Sequence, residues 1–477
     1  MGLTKPIELN LLSDQGTFMY LKNIIRGNNG MKNEKIKLRE KIAYSMGDVS
    51  ANLLATFIAS YAMFFYTEVY GLSAMAVGTM FLVANIWDAI DDPMWGYLSD
   101  RRKPSKNGAY RPWIKWAAIP IGVFFVLQFS CPNLGMTGKL IWAYVTYIGT
   151  DILFTVINIP YGTLNNVMTD DINERTVLST FRNIGSNIGS LAVSYGTVPL
   201  VLLLGAGNDA IGYQKTAILF AIISTVALFW LYFGTKERLQ PAKHNIKVRD
   251  MYKAIFHNKQ ALCLVASMFF FNTVVNFKFA YNIYYCVVYM DRKDLTGIIG
   301  SLAFFVAMIS LIMVPKLTEK FGKKNMLIIG GAAYVLDGVV FLIGGHSVVM
   351  LYISAILFGL CLTLSFPILW GAIPDTVEYG EWKTGVRAPG SVYSACTFAN
   401  KLAQGVSGWL VGIVLTWINY VPGAPAQTQQ VVNGVYWSNA LVLIVGGILG
   451  ALVVIPYKLN KQMFDKIVSD LNLSSSK

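Results

Sequence analysis

The chain has 477 residues, of which 55% are hydrophobic and only 14% charged. A soluble protein carries about 25% charged residues, so the composition excludes an ordinary multidomain globular enzyme and points to a membrane protein. The formal net charge is +13, and its confinement to one side of a membrane, described below, excludes nucleic-acid binding as the reason for it.

From the N-terminus, residues 1–42 contain no long apolar core, so no cleavable secretion signal is expected and the first span acts as its own insertion signal. The segment beginning at Met31 reads as a true start, with 1–30 an upstream extension or a disordered tail. Spans of roughly 20 apolar residues, the length needed to cross a core about 30 Å thick, are expected at 43–68, 73–98, 112–131, 138–165, 176–204 and 211–233. After a polar stretch at 234–260 they resume at 261–289, 295–315, 325–344, 348–372, 390–418 and 434–457. The chain therefore divides into a cytoplasmic tail (1–42), an N-terminal six-helix bundle (43–233), a cytoplasmic central loop (234–260), a C-terminal six-helix bundle (261–457) and a second cytoplasmic tail (458–477).

Basic residues fall on one side of these spans. Lys37, Arg39, Lys41, Arg101, Arg102, Lys103, Lys106 and Arg111 share that side with the basic 234–260 loop, Lys316, Lys320, Lys323, Lys324, Lys383, Arg387, Lys458, Lys461 and Lys466. The opposite loops hold Lys139, Lys215, Arg292 and Lys293. Basic loops stay in the cytoplasm, which places both termini inside and requires an even number of spans. Acidic-then-basic stretches follow the second span (Asp100, Arg101, Arg102, Lys103) and the eighth (Glu319, Lys320, Lys323, Lys324). Matching loops in two halves indicate parallel repeats about an axis normal to the membrane. The expected fold is an all-α membrane protein of twelve transmembrane helices in two six-helix bundles, the major facilitator superfamily fold, with a cavity between the halves.

Ionisable groups at membrane depth are costly and face a cavity or a partner. The second span carries Asn85, Asp88, Asp91 and Asp92 on one helical face. Three carboxylates this close raise one another's pKa, so a bound Na⁺, a shared proton or a basic side chain must compensate. A coupling-ion site and a salt-bridged latch both meet that need, and Asp92, nearer the cytoplasmic end, suits the latch best. Basic residues lie in the fifth span (Arg182), the seventh (Lys278) and the eleventh (Lys401), each suited to a counter-ion or a ligand-contact role; Lys278 would also suit an anionic solute. Asp48 and Asp337 are further intramembrane acids beside Gly47 and Gly338, and Asp337 reads as structural. In the fourth span, Asn158 offers both a donor and an acceptor to a hydroxyl-rich ligand, next to Pro160, Tyr161 and Gly162. The alternative there is a proline-kinked helix with interhelical hydrogen bonds.

Five cysteines, Cys131, Cys263, Cys286, Cys361 and Cys396, lack metal-ligand or disulfide spacing and read as small buried hydrophobes. The sequence has no phosphate-binding loop and no His-Glu-x-x-His motif, so neither ATP-driven transport nor a paired-histidine protease is expected. His244, His257 and His346 fall outside the spans, which argues against a histidine proton relay.

Several segments together resemble the glycoside–pentoside–hexuronide:cation symporter family: Lys41–Asp48 (KIAYSMGD), Phe65–Glu68 (FYTE), Ile86–Pro93 (IWDAIDDP), Asn158–Gly162 (NIPYG) and Asp375–Lys383 (DTVEYGEWK). The likeness covers about residues 38–465. The last motif and Arg387–Tyr393 (RAPGSVY) look closest to members that take sulfoquinovose-like or other modified glycosides. The resemblance implies a secondary active transporter, a sugar or glycoside:cation symporter (Na⁺ or H⁺) working by alternating access. A uniporter or a sugar sensor of the same fold is the alternative, and no enzymatic activity is implied. It places cation ligands at Asp88, Asp91, Asp92 and Thr155. It places substrate contacts at Asn52, Asn158, Tyr161, Arg182, Lys278 and Lys401, with Lys401 linking the two sites. A gating loop of cytoplasmic salt bridges falls on Asp375, Glu378, Glu381 and Arg387. Melibiose-transporting members carry Asp at the positions of Asn52 and Asn158, Asn at that of Asp91 and Trp at that of Gly162. These departures imply a pentoside, a glucuronide or a sulfonated sugar rather than a galactoside. The implied partners are the sugar, a monovalent cation and membrane lipids, with no nucleic acid. No cofactor is implied beyond the coupling ion and no metal beyond Na⁺ at the cation site; a functional monomer, multi-pass in the inner (plasma) membrane, is expected.

Overall fold

The computed structural model describes residues 36–101, 108–169, 171–239, 258–384, 389–424, 426–459 and 461–475. Regular structure among them is helical: α1 (Leu38–Phe64), α2 (Ala74–Arg101), α3 (Arg111–Gln128), α4 (Met136–Met168), α5 (Ile172–Gly205), α6 (Asp209–Gly234), α7 (Lys259–Tyr284), α8 (Leu295–Ser310), α9 (Val314–Gly344), α10 (Val348–Gly371), α11 (Ile373–Thr384), α12 (Pro389–Trp417), α13 (Gln429–Val454) and α14 (Lys461–Ser475). The expected spans fall on these helices. Among the described residues, eight helical segments are long and apolar enough to cross a membrane, and one of them, Leu295–Gly344, covers two expected spans. Among the described residues, Ala74–Asp88 of α2 is a shorter apolar stretch.

Two segments differ from the sequence expectation. The Asp375–Lys383 motif, expected as a gating loop, forms the helix α11, in which Asp375 occupies the first turn and Lys383 the last, complementing the helix dipole. The 315–324 connection is also helical, interrupted at Gly322, whose φ of 77° and ψ of 154° lie in a region open essentially to glycine alone. Arg387, the 1–35 tail and residues 240–257 of the central loop lie outside the described residues.

Helix starts are fixed by short polar side chains. Asn208, Asn258, Ser347 and Thr428 cap α6, α7, α10 and α13 by accepting from the backbone N–H three residues on. The start of the central loop is bound to the N-terminal half. Glu237 accepts from the N–H groups of Ala109 (2.7 Å), Tyr110 (3.0 Å) and Arg111 (2.8 Å), where the free donors of α3 favour an anion. Arg238 meets Glu40 of α1 through two contacts of 2.8 Å.

The two halves carry the same local device. α1 runs into a π-helical turn at Phe65–Val69, and α7 does so at Tyr285–Tyr289. The turns close alike: Tyr70 N–H donates to the Phe65 carbonyl and Leu72 N–H to that of Tyr66, while Met290 donates to Tyr285 and Arg292 to Cys286. Both chains then leave through a residue of positive φ, Gly71 (76°) and Asp291 (53°). Backbone geometry thus repeats position for position where the side chains have diverged.

In hydrocarbon the drive for association comes from close packing and hydrogen bonds, and small residues let backbones approach. α2 packs along α12 in this way. A methyl group at Gly412 would lie 2.5 Å from the Ala74 carbonyl oxygen, and one at Gly78 would lie 3.0 Å from that of Gly408. The halves also meet where α1 ends, at the end opposite its start at Leu38. Thr67 shares a hydrogen bond of 2.6 Å with Tyr284, Lys293 lies 2.6 Å from Asp209, and Gly423 N–H donates to Glu68 over 3.0 Å. From Ala74 the α2–α12 seam descends about 21 Å, at 1.5 Å per residue, to Asp88 and Lys401.

Candidate substrate and cation site

Asp88 is 6% exposed and receives groups from both halves. Thr155 of α4 donates its hydroxyl to Oδ1 over 2.9 Å. The Lys401 ammonium of α12 lies 2.6 Å from Oδ2. One turn earlier, Asn85 donates to the Phe81 carbonyl over 2.8 Å, and the Phe81 ring packs 5.0 Å from that of Tyr147 on α4. These contacts hold α2 and α4 side by side. A carboxylate with an adjacent hydroxyl is an oxygen set suited to a small hard cation, and the lysine ammonium supplies a positive charge there. Among the described residues no group of three or more His, Cys, Asp or Glu gathers to hold a metal ion. The side chains of Asp91 and Asp92 lie outside the described residues.

A second polar centre joins α1, α4 and α5. Arg182 forks onto Asp48, with Nε 2.7 Å from Oδ2 and Nη2 3.2 Å from Oδ1. Its guanidinium lies 4.6 Å from the centre of the Tyr161 ring. The Tyr161 hydroxyl is 2.5 Å from Asp48 Oδ2 and 2.9 Å from the Tyr44 carbonyl oxygen. A bidentate guanidinium stacked on a ring is a geometry that lysine does not reproduce. One turn along α1, Asn52 donates to the Asp48 carbonyl over 2.9 Å.

Asn158 connects these centres by its register. It follows Thr155 by three residues and precedes Tyr161 and Gly162 by three and four, so all share one face of α4. Its side chain is exposed, and a Cβ built at Gly162 would meet no heavy atom within 4 Å. The face between the two ion pairs therefore has open space beside it, edged by an amide that can both donate and accept.

The structure brings Asp88, Thr155 and Lys401 together, and Arg182 and Tyr161 together with Asn52 close by. Of the three bases weighed as partners for the α2 acids, Lys401 is the one that reaches Asp88. Arg182 pairs instead with Asp48, which entered the sequence reading only as a further acid. Lys278 is not brought to either centre. It is 4% exposed, its ammonium lies 2.5 Å from Asp337 Oδ2 and 3.2 Å from Ser354, and Phe358 is 4.4 Å away. In α11, Asp375 pairs with Lys323 over 2.7 Å, within the C-terminal half. Glu378 is half-buried and Glu381 lies one turn beyond it. The carboxylate of Asp151, on the same face of α4 as Thr155, was missed in the sequence, although its depth in an apolar span is the same signal that marks Asp88.

This helical bundle, with two halves meeting at one end and ion pairs at mid-depth, is that of a major facilitator transporter. A sixteen-percent-identical solved structure of a D-xylose–proton symporter superposes with a TM-score of 0.65, covering 88% of this chain and 98% of that one. A structure of the nucleoside transporter NupG superposes at 0.56 with 14% identity, over 88% and 100% of the two chains. The family model described as MFS/sugar transport protein matches residues 43–461, and the chain belongs to this family. Relatives include the isoprimeverose transporter of Lactiplantibacillus pentosus, 34% identical with 91% of each chain covered. A putative sulfoquinovose importer of Escherichia coli (strain K12) is 32% identical, over 93% of this chain and 95% of the other. The uncharacterized symporter YnaJ of Bacillus subtilis (strain 168) is 33% identical, over 92% and 95%.

Proposed function

We propose that the chain is a sugar or glycoside:cation symporter of the plasma membrane that works by alternating access with both termini in the cytoplasm. The observation that carries this reading is the Asp88–Lys401 pair. Asp88 belongs to α2 in the first half and Lys401 to α12 in the second, so a Na⁺ or proton arriving at Asp88 competes with the ammonium that ties the halves together. A buried ion pair is close to break-even against its desolvation, so exchanging one cation for another there has a small net cost. Asp88 and Thr155, with Asp91 and Asp92 further along α2, would hold the coupling ion.

The basic loops put the termini inside, so the end where α1 and α7 finish faces outward. Sugar hydroxyls meet Asn158 and Asn52 beside the Tyr161–Arg182 stack. Lys278 is left out of the substrate set because its charge is matched by Asp337 in the core of the second half. Arg182 and Lys401 are likewise matched by Asp48 and Asp88, which favours a neutral glycoside or pentoside. The release of Lys401 on ion binding favours a second reading, an anionic sugar, in line with the likeness to a putative sulfoquinovose importer. Each ligand must raise affinity for the other by the same factor.

The test is uptake by proteoliposomes of neutral and anionic glycosides under imposed Na⁺ or H⁺ gradients. Gradient-dependent accumulation of one class supports the proposal. Counterflow without accumulation under either gradient contradicts it in favour of a uniporter.

A further inference from the structure

Asp151 lies near the middle of α4, a helix of 33 residues with no other acidic residue. A carboxylate at that depth faces the bundle interior, a cavity or a partner. Its position is fixed from both sides. Tyr147 precedes it by one turn and packs on Phe81 of α2, and Thr155 follows it by one turn and donates to Asp88 of α2. Residues four apart on a helix share a face. With its two neighbours on that face both resting on α2, Asp151 stands opposite the turn that carries Asn85. Asp88, Asn85, Tyr147, Asp151 and Thr155 thus lie along the seam between α2 and α4.

We propose that Asp151 is a further determinant of cation affinity and selectivity, presenting a second carboxylate to the coupling ion from α4. The inference rests on the cation reading of Asp88. The side chains along this seam are all oxygen-bearing: two carboxylates, an aliphatic hydroxyl, an amide and a phenol. That set matches a dehydrated alkali cation, for which carboxylate and neutral oxygen ligands are the preferred chemistry. It also divides the ligands between two helices of the N-terminal half, while the competing ammonium comes from the C-terminal half. An ion held by Asp88 and Asp151 would leave Lys401 free to move with α12.

Binding of Na⁺ to the purified full-length protein in detergent, by isotope equilibrium and by the ion-induced rise in Tm, is compared for the wild type, Asp88→Asn, Asp151→Asn and Asp151→Glu, together with ion-stimulated uptake. Asp151→Asn is expected to weaken the apparent ion affinity by roughly tenfold or more, the scale of losing a charged partner. Asp151→Glu keeps the charge and the fold, restores binding, and is expected to change the Li⁺-to-Na⁺ affinity ratio at least about threefold, since arm length alters the cavity. If Asp88→Asn abolishes ion binding while both Asp151 variants bind ions as the wild type does, the inference about Asp151 is overturned and the Asp88 site stands. If Asp88→Asn also binds and couples normally, the cation reading itself fails. Should Asp151→Asn not fold, an unchanged Li⁺-to-Na⁺ ratio in Asp151→Glu overturns the inference alone.

Discussion

The Lys401 ammonium lies 2.6 Å from Asp88 Oδ2, and this pair crosses the boundary between the two halves of the molecule. With Thr155 on the other carboxylate oxygen, Asp88 is held at once by its own half and by its partner half. Removing one member of such a buried pair strands the other at a cost of about 3–5 kcal/mol. Lys401→Met is therefore expected to abolish coupled accumulation, and to restore part of the lost stability when combined with Asp88→Asn. Tm and gradient-driven uptake of the two single variants and the double variant check this. Additive losses of stability would separate the two residues.

Lys278 and Asp337 form a second buried pair, wholly within the C-terminal half. Asp337 is inaccessible to solvent, and Ser354 completes the arrangement. Lys278→Met is expected to lower stability by about 3–5 kcal/mol, and the double variant Lys278→Met/Asp337→Leu to regain most of it. Transport by the double variant should retain the wild-type KM for sugar. A raised KM with unchanged Tm in Lys278→Met would assign that lysine to substrate instead.

The bond between Thr67 and Tyr284 joins the α1 and α7 ends at the closed side. A hydrogen bond of this kind contributes about 0.5–1.5 kcal/mol. Tyr284→Phe should shift the conformational balance toward opening of that side by up to roughly tenfold. The readout is the labelling rate of a cysteine introduced at Asn52 by an impermeant thiol reagent added outside. The rate should rise in Tyr284→Phe, and an unchanged rate would remove this bond from the closure.

Glu237 gathers three backbone N–H groups at the start of α3. Glu237→Ala leaves those donors without their anion and is expected to cost about 2 kcal/mol of stability, the scale of hydrogen bonds to a charged group. Thermal unfolding should report the loss, while transport per folded molecule stays unchanged. Its effect should fall on the N-terminal half, since α3 and the residues after α6 are joined by this carboxylate.

The helices were legible because an apolar run of membrane length is a local property of the sequence. So was the candidate status of Asp88: a carboxylate in such a run stands out whatever surrounds it. Which base meets which acid was not legible. Arg182 and Lys401 are both compatible with the α2 acids by composition, and only the packing of α5 on α1 and of α12 on α2 assigns Arg182 to Asp48 and Lys401 to Asp88. Lys278 shows the same limit, since a lysine in an apolar helix reads alike whether it faces a cavity or a buried aspartate. The paired π turns were also hidden, because backbone geometry is repeated there by dissimilar residues such as Gly71 and Asp291. The helix α11 escaped because its short charged sequence is stabilised by contacts such as Asp375 with Lys323 rather than by apolar periodicity.

The central claim is that a cation taken up at Asp88 drives sugar movement by displacing Lys401. Its most direct test loads proteoliposomes with equal sugar inside and out and then imposes an inward Na⁺ or H⁺ gradient. The wild type should accumulate sugar above the outside concentration, while Asp88→Asn should only exchange it. Net accumulation by Asp88→Asn equal to that of the wild type would contradict the claim.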